Sequence, residues 1–305
     1  MIRRPWASLI WAVVLSAPQW GCRKAAPPAQ TMPAAQAAAA GTRQGALPAR
    51  RARDYRVVHV FVALCDNRNQ GIVPVRAALG NGQDPKSNLY WGAMYGVKTY
   101  FRQRGHWEAA GLAGRSTQPA VLDRAVFRSR WQKPTAYVVA DAYDGARMKA
   151  ALTDFFNAAA GATAVELSAR FGLGTVRLQA GGHADLVCFV GHNGLMDLKL
   201  PALPQSTGGP SPDCAVVLAC NSRPYFAGPL GTAGCSPLIT TTGLMAPEAY
   251  TLDAVIRSWA AGETPQQTRE RAAHAYAKYQ RCGLEAARGL FAAGAAAAGG
   301  PTGRR

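Results

Sequence analysis

The chain has 305 residues, 49% of them hydrophobic and 17% charged, with seven tryptophans. That composition excludes a disordered or fibrous polymer and supplies enough apolar side chain for a sizeable core. The net charge is +17, but no basic run with interleaved aromatics stands out. The charge reads as solubility and weak attraction to anionic surfaces, and no nucleic-acid partner is expected.

The N-terminus reads as an address. MIRRPWAS is basic, and LIWAVVLSA, residues 9–17, is a short apolar core. It is too short for a bilayer, which needs about 20 apolar residues. Residues 1–22 are expected to be an export signal. Cys22 follows Gly21, and the segment resembles a bacterial lipoprotein box, although Gln19 and Trp20 replace the usual small or aliphatic residues. The resemblance implies cleavage before Cys22, lipid attachment to it, and a membrane-anchored protein of the periplasm or cell envelope. Ordinary cleavage near MPAAQA is the alternative. Residues 23–52, rich in Ala, Pro, Gln and Arg without an apolar period, read as a flexible tether.

Strand-like and helix-like runs then alternate across residues 53–286. YRVVHVFVALC, 55–65, reads as a strand buried on both faces. The polar loop DNRNQG follows, with turn signals at Asn81-Gly82 and Asp84-Pro85. YWGAMYGVKTYFRQRG, 90–105, reads as a helix closed by Gly105, and TAYVVADAY, 135–143, as a second strand. ARMKAALTDFFNAAAG, 146–161, reads as a helix, and ADLVCFVG, 184–191, as a third strand. CAVVLAC, 214–220, and PLITTTG, 237–243, are the fourth and fifth. PEAYTLDAVIRSWAAG, 247–262, reads as a helix with Pro at its start and Gly at its end. TPQQTRERAAHAYAKYQRCG, 264–283, reads as another, with Thr264 as its cap. Residues 287–305 read as a low-complexity Ala/Gly-rich tail. The expected fold is a single α/β domain, a mainly parallel sheet sandwiched by helices in three layers.

In such sheets reactive groups lie outside the carboxyl ends of the strands. His192 stands just past the third strand and Cys220 at the end of the fourth. Consecutive strands are often neighbours, which would set the two side by side. A thiolate attacks and a nearby imidazole takes its proton, so the pair has the chemistry of nucleophilic catalysis. The turn after His192, through Asn193 or Gly194, and the N–H of Cys220 are the candidate oxyanion donors.

LVCFVGHNG and AVVLACNS resemble the paired blocks of the caspase-like cysteine peptidases, the clan of caspases, metacaspases, legumains, gingipains and separases. The resemblance spans roughly residues 55–262. It implies a three-layer caspase-like fold, a peptide or protein substrate, no cofactor, His192 as acid–base and Cys220 as nucleophile. Here Asn193 intervenes between the histidine and Gly194, so the oxyanion amide that the family draws from its glycine falls to Asn193 or Gly194. The loop after the first strand lines the specificity pocket in that clan. The resemblance therefore points to Asp66, Asn67 and Arg68, Asp66 for a basic side chain and Arg68 for an acidic one. TTGLMAPEAY would wall the same cleft, and Arg223, Pro224 and Tyr225 would shape its rim.

The competing readings are structural. A cysteine ending a buried strand is ordinarily a small core residue, and Cys65, Cys188 and Cys214 are read that way. The joint placement of His192 and Cys220 at two matching strand tips is what sets them apart. Seven cysteines are an odd count; with lipid on Cys22, six remain. They form no CxxC pair, which argues against a zinc ribbon, and an exported compartment permits disulfides whose pairing sequence does not give. A disulfide from Cys220 to Cys214 or Cys235 would leave a catalytically inactive caspase-like binding or structural lipoprotein, the alternative function. His59 is expected to be packed in its strand, His106 to sit beside Trp107 after the helix stop, and His274 to be solvated. His183 and His192 are nine strand steps apart, about 30 Å at roughly 3.3 Å each, so a metal site made of them with Asp197 is set aside. Asp197 is left as a loop residue or an orienting partner for His192. No GxSxG, GxxxxGK[ST] or HExxH motif is present. FGLGT, after the run VELSARF read as helical, is no dinucleotide turn.

Overall fold

The computed structural model describes residues 54–131 and 134–294. The expected signal, Cys22 and the tether lie outside them. The strands in chain order are β1 (Tyr55–Ala63), β2 (Trp107–Ala109), β3 (Leu112–Ala113), β4 (Val121–Ser129), β5 (Thr135–Tyr143), β6 (Ala164–Phe171), β7 (Gly174–Gly181), β8 (Leu186–Val190), β9 (Cys214–Leu218), β10 (Ser236–Thr241) and β11 (Phe291–Ala293). The helices are α1 (Val97–Gln103), α2 (Met148–Ala159), α3 (Arg223–Thr232), α4 (Ala249–Ala260), α5 (Pro265–Gln280) and α6 (Leu284–Leu290).

Eight strands form one sheet in the order β11-β10-β9-β8-β1-β5-β4-β2. The five expected strands, β5, β1, β8, β9 and β10, are its parallel heart. Their sequences are predominantly apolar because both faces are covered, and the polar exceptions His59 and Asp141 are buried as a pair. In β1, Val58, Val60 and Val62 enter one core with α1, α4 and α5, while Val57, Phe61 and Ala63 enter another with α2 and α3. The architecture is three-layered α/β, and the described residues fall in one compact unit. The sheet is mixed, because β4, β2 and β11 join its two edges antiparallel.

Four segments depart from the sequence reading. The helix expected over 90–105 is only α1. The carbonyl of Asn88 accepts the N–H groups of Trp91, Gly92 and Ala93, and Gly96 is extended, so 90–96 folds as turns. VELSARF is strand, not helix. It pairs with β7 through a two-residue turn whose first residue, Gly172, has φ +56°, as hairpin turns demand. RPYFAGPLGT folds as α3 despite its prolines and glycines, with Pro224 in the first turn where no N–H is needed and Phe226 and Leu230 anchoring it in the core. The domain does not stop at 286. α6 and β11 continue it, Phe291 is buried against Tyr276, and Arg269 donates to the carbonyls of Arg288 and Phe291. Thr264 caps α5 as expected, in a capping box with Gln267.

Candidate functional site

β8 and β9 are adjacent and parallel, with Val190 opposite Leu218. Two residues beyond each partner lie His192 and Cys220, so register brings them to neighbouring tips on the carboxyl edge. Gly191 prolongs the contact, donating to the Leu218 carbonyl at 3.2 Å. At φ +150° it passes close to the end of β1, where a Cβ would come within 2.8 Å of the Ala63 carbonyl oxygen. Only glycine lets the chain leave β8 by this route.

The histidine arm is buried but not closed. His192 is 8% exposed, and its Nε2 makes a short hydrogen bond with Oδ2 of Asp197, which follows a single 3-10 turn, Gly194–Met196. A carboxylate at Nε2 draws the ring proton there and leaves Nδ1 as the basic nitrogen. Asp197 therefore takes the orienting place that the sequence left open. The loop after β1 packs beside it, since a Cβ on Gly71 would lie 3.1 Å from Asp197 Oδ1.

The cysteine arm is half-buried and tightly tied. The Cys220 sulfur accepts the Met245 N–H at 3.3 Å and donates its proton to the Met245 carbonyl at 3.4 Å. Asn221 has φ +44°, a left-handed turn that asparagine tolerates better than most residues. Its N–H is held by the Gly243 carbonyl. Ser222 binds Thr241 through its N–H and hydroxyl, and Thr241 reaches the Ala219 carbonyl. The turn is thus stitched to the end of β10.

Asn193 joins the two arms. It is fully buried, and its Nδ2 donates to the Cys220 carbonyl at 2.8 Å and to the Asn221 carbonyl at 3.4 Å. The residue that departs from the His-Gly pattern is therefore a brace. It also changes the oxyanion assignment. The Gly194 N–H is already given to the His192 carbonyl at 3.0 Å, so Gly194 is not the donor. The Asn193 and Cys220 N–H groups donate to no acceptor among the described residues.

The substrate-binding residues need larger correction. Asp66 is 1% exposed and saturated. It accepts from the N–H groups of Arg68 and Asn69 and from the side-chain amides of Asn69 and Gln83. Burial pushes its pKa up, but those hydrogen bonds outweigh it and hold the carboxyl below its ordinary value. It is a loop brace that cannot meet a substrate. Asn67 exchanges two hydrogen bonds with Val75 and braces the same loop. Arg68 and Arg223 are exposed and remain available.

The other residues fall mostly as the structural readings had it. All six described cysteines are free, so Cys220 is not bridged to Cys214 or Cys235. Burial raises the thiol pKa of Cys65 to about 11 and of Cys214 to about 12, and lifts those of Cys188 and Cys235 as well. These are inert thiols. His59 is buried between Asp141 and the Gly181 N–H, which donates to its Nδ1. His106 pairs with Asp253, which also accepts from Trp107. His274 is exposed. Among the described residues no three His, Cys, Asp or Glu side chains gather as metal ligands. The segment TTGLMAPEAY does reach the sulfur, but through main-chain atoms of Met245 that no side-chain pattern advertises. No family model, curated protein or solved structure matches the chain.

Proposed function

We propose that the protein is a cysteine endopeptidase of caspase-like type, exported and anchored through lipid on Cys22. The observation that carries this reading is the register that brings a free Cys220 and His192 to neighbouring strand tips, with Asp197 on the ring Nε2. In this scheme the Cys220 proton passes to His192 Nδ1 as sulfur attacks the peptide carbonyl. A C–S bond forms, and the carbonyl π pair moves to oxygen, facing the Asn193 and Cys220 N–H groups. The C–N bond then breaks as the amine takes the proton from the imidazolium. Water, deprotonated by the same ring, hydrolyses the thioester.

Cleavage of a mixed peptide library by the full chain tests the proposal, with Cys220→Ala as blank. Turnover that disappears in Cys220→Ala and in His192→Ala supports it; turnover equal to the blank refutes it.

One observation favours the alternative of an inert, binding lipoprotein. The resting thiol is clasped on both sides by Met245, a post it must leave before attacking. On that reading the wild type would match the blank on every peptide while remaining folded.

A further inference from the structure

The hairpin of β6 and β7 roofs a second cavity. With β3 it makes a separate three-stranded sheet. Between the hairpin, α2 and the face formed by β1, β5 and β4 lies a space of about 240 Å³. Residues 115–118 form its remaining wall, and no residue of β8, β9 or the turns after them lines it.

Its floor is a buried charge cluster. Arg124 in β4 lies opposite Asp141 in β5, and its Nε and Nη2 donate to the two carboxylate oxygens at 2.5 Å and 2.7 Å. The Gly181 N–H donates to His59 Nδ1 at 3.0 Å, so the ring proton sits on Nε2, which donates to Asp141 at 3.1 Å. The aspartate is therefore saturated. The arginine is not. Its side chain is 5% exposed, and its Nη1 meets no acceptor among the described residues. A guanidinium nitrogen held out of water without an acceptor is costly.

The rest of the lining is unbalanced in the other direction. Arg115 lines the cavity and pairs with no carboxylate among the described residues. Asp154 Oδ2 accepts from the Tyr143 hydroxyl at 2.9 Å and from the Gln118 amide at 2.7 Å, while Oδ1 accepts nothing among them. Glu166 takes only the Gln179 amide, at 3.3 Å. Once Arg124 and Asp141 cancel, one guanidinium stands against two carboxylates. A simple anion would add to that surplus of acid, and a simple cation would leave Arg124 Nη1 unmet.

We propose that this cavity binds a free α-amino acid as its zwitterion, with the carboxylate on Arg124 Nη1 and Arg115 and the ammonium on Asp154. Both charges must fit within one small space, as they do on the single α-carbon of an amino acid. Arg124 is held in place for that role by Asp141, and Asp154 by Tyr143 and Gln118. The site is separate from the strand tips and does not depend on the peptidase reading.

Isothermal titration of the full chain with L-alanine, N-acetyl-L-alanine and L-alaninamide tests the proposal. The first carries both charges, the second only the carboxylate and the third only the ammonium. Alanine should bind at least about ten-fold more tightly than either blocked form, the scale of one lost charge-assisted contact. Arg115 is exposed and Asp154 half-buried, so substitutions there should spare the fold, with circular dichroism as the control. Arg115→Gln should weaken alanine about ten-fold and leave alaninamide unchanged. Asp154→Asn should weaken alanine to a similar degree and leave N-acetyl-alanine unchanged. No heat with millimolar alanine, a blocked form that binds as tightly, or alanine binding indifferent to both substitutions overturns the proposal. His192 and Cys220 line no part of the cavity, so these outcomes are read apart from peptide turnover.

Discussion

Asn193 reaches across the gap between two strand tips and gives its side-chain amide to the main-chain carbonyl of Cys220. Through that bond the position of the sulfur depends on a residue next to His192. The brace is buried, and its Oδ1 has no partner, so its one productive end carries the stabilisation.

Removing the brace should therefore cost stability as well as order. Asn193→Ala leaves the Cys220 carbonyl without its side-chain donor, an expected loss of about 1–3 kcal/mol. Thermal unfolding measured in a Cys220→Ala background separates this from any effect on the thiol. An unchanged melting temperature would show that the contact is not stabilising.

Asp197 should behave in the opposite way. Its side chain is 45% exposed, so Asp197→Asn should change stability by no more than about 0.5 kcal/mol. An amide cannot draw the ring proton to Nε2 as a carboxylate does, so Cys220 should be alkylated roughly ten-fold more slowly or worse. Iodoacetamide kinetics on a Cys282→Ser background give the comparison, because Cys282 is exposed and would label on its own account. In that background Cys220 should react ahead of Cys65, Cys188, Cys214 and Cys235, whose burial keeps them protonated.

The buried cluster on β1, β4 and β5 sets an acid limit. Asp141 takes two hydrogen bonds from Arg124 and one from His59. Burial alone would raise its pKa; these partners outweigh that and lower it. A depressed folded value means the stabilisation is complete above the unfolded value of about 3.9 and is lost as pH falls through the folded one. Asp141→Asn strands the Arg124 charge and should cost about 3–5 kcal/mol at neutral pH. Denaturant melts at pH 7 and pH 3 should show the gap between wild type and variant narrowing at the lower pH.

Glu248 carries the reverse sign. Its folded pKa is raised by burial, so the ionised form costs stability above the folded value. That cost vanishes below the ordinary carboxyl value of about 4.3. Glu248→Gln should melt higher than wild type at pH 7 and equal to it near pH 3, as followed by circular dichroism.

What the sequence determined by itself was the parallel heart of the sheet and the two tips that stand at its edge. Strands buried on both faces are predominantly apolar, and that signal is local and strong: YRVVHVFVA, TAYVVADAY, LVCFV and CAVVL carry it apart from the paired His59 and Asp141, and SPLITT carries it more weakly. It placed His192 and Cys220 at strand ends without any knowledge of pairing. Edge strands and hairpins carry no such mark, because one side meets water or a helix. VLDRAVFRS and AVELSARF alternate with charge and were legible only once their partners were in place. The tertiary structure alone decided the rest of the site. Asp66 looked available because its charge is visible in the sequence, whereas the four donors that consume it come from loop geometry. Asn193 looked like a defect in a motif and is a brace, and Met245 grips the sulfur with main-chain atoms that every residue possesses. A side chain's chemistry is written in its letter, but whether that chemistry is spent or free depends on which backbone groups the fold brings within about 3 Å.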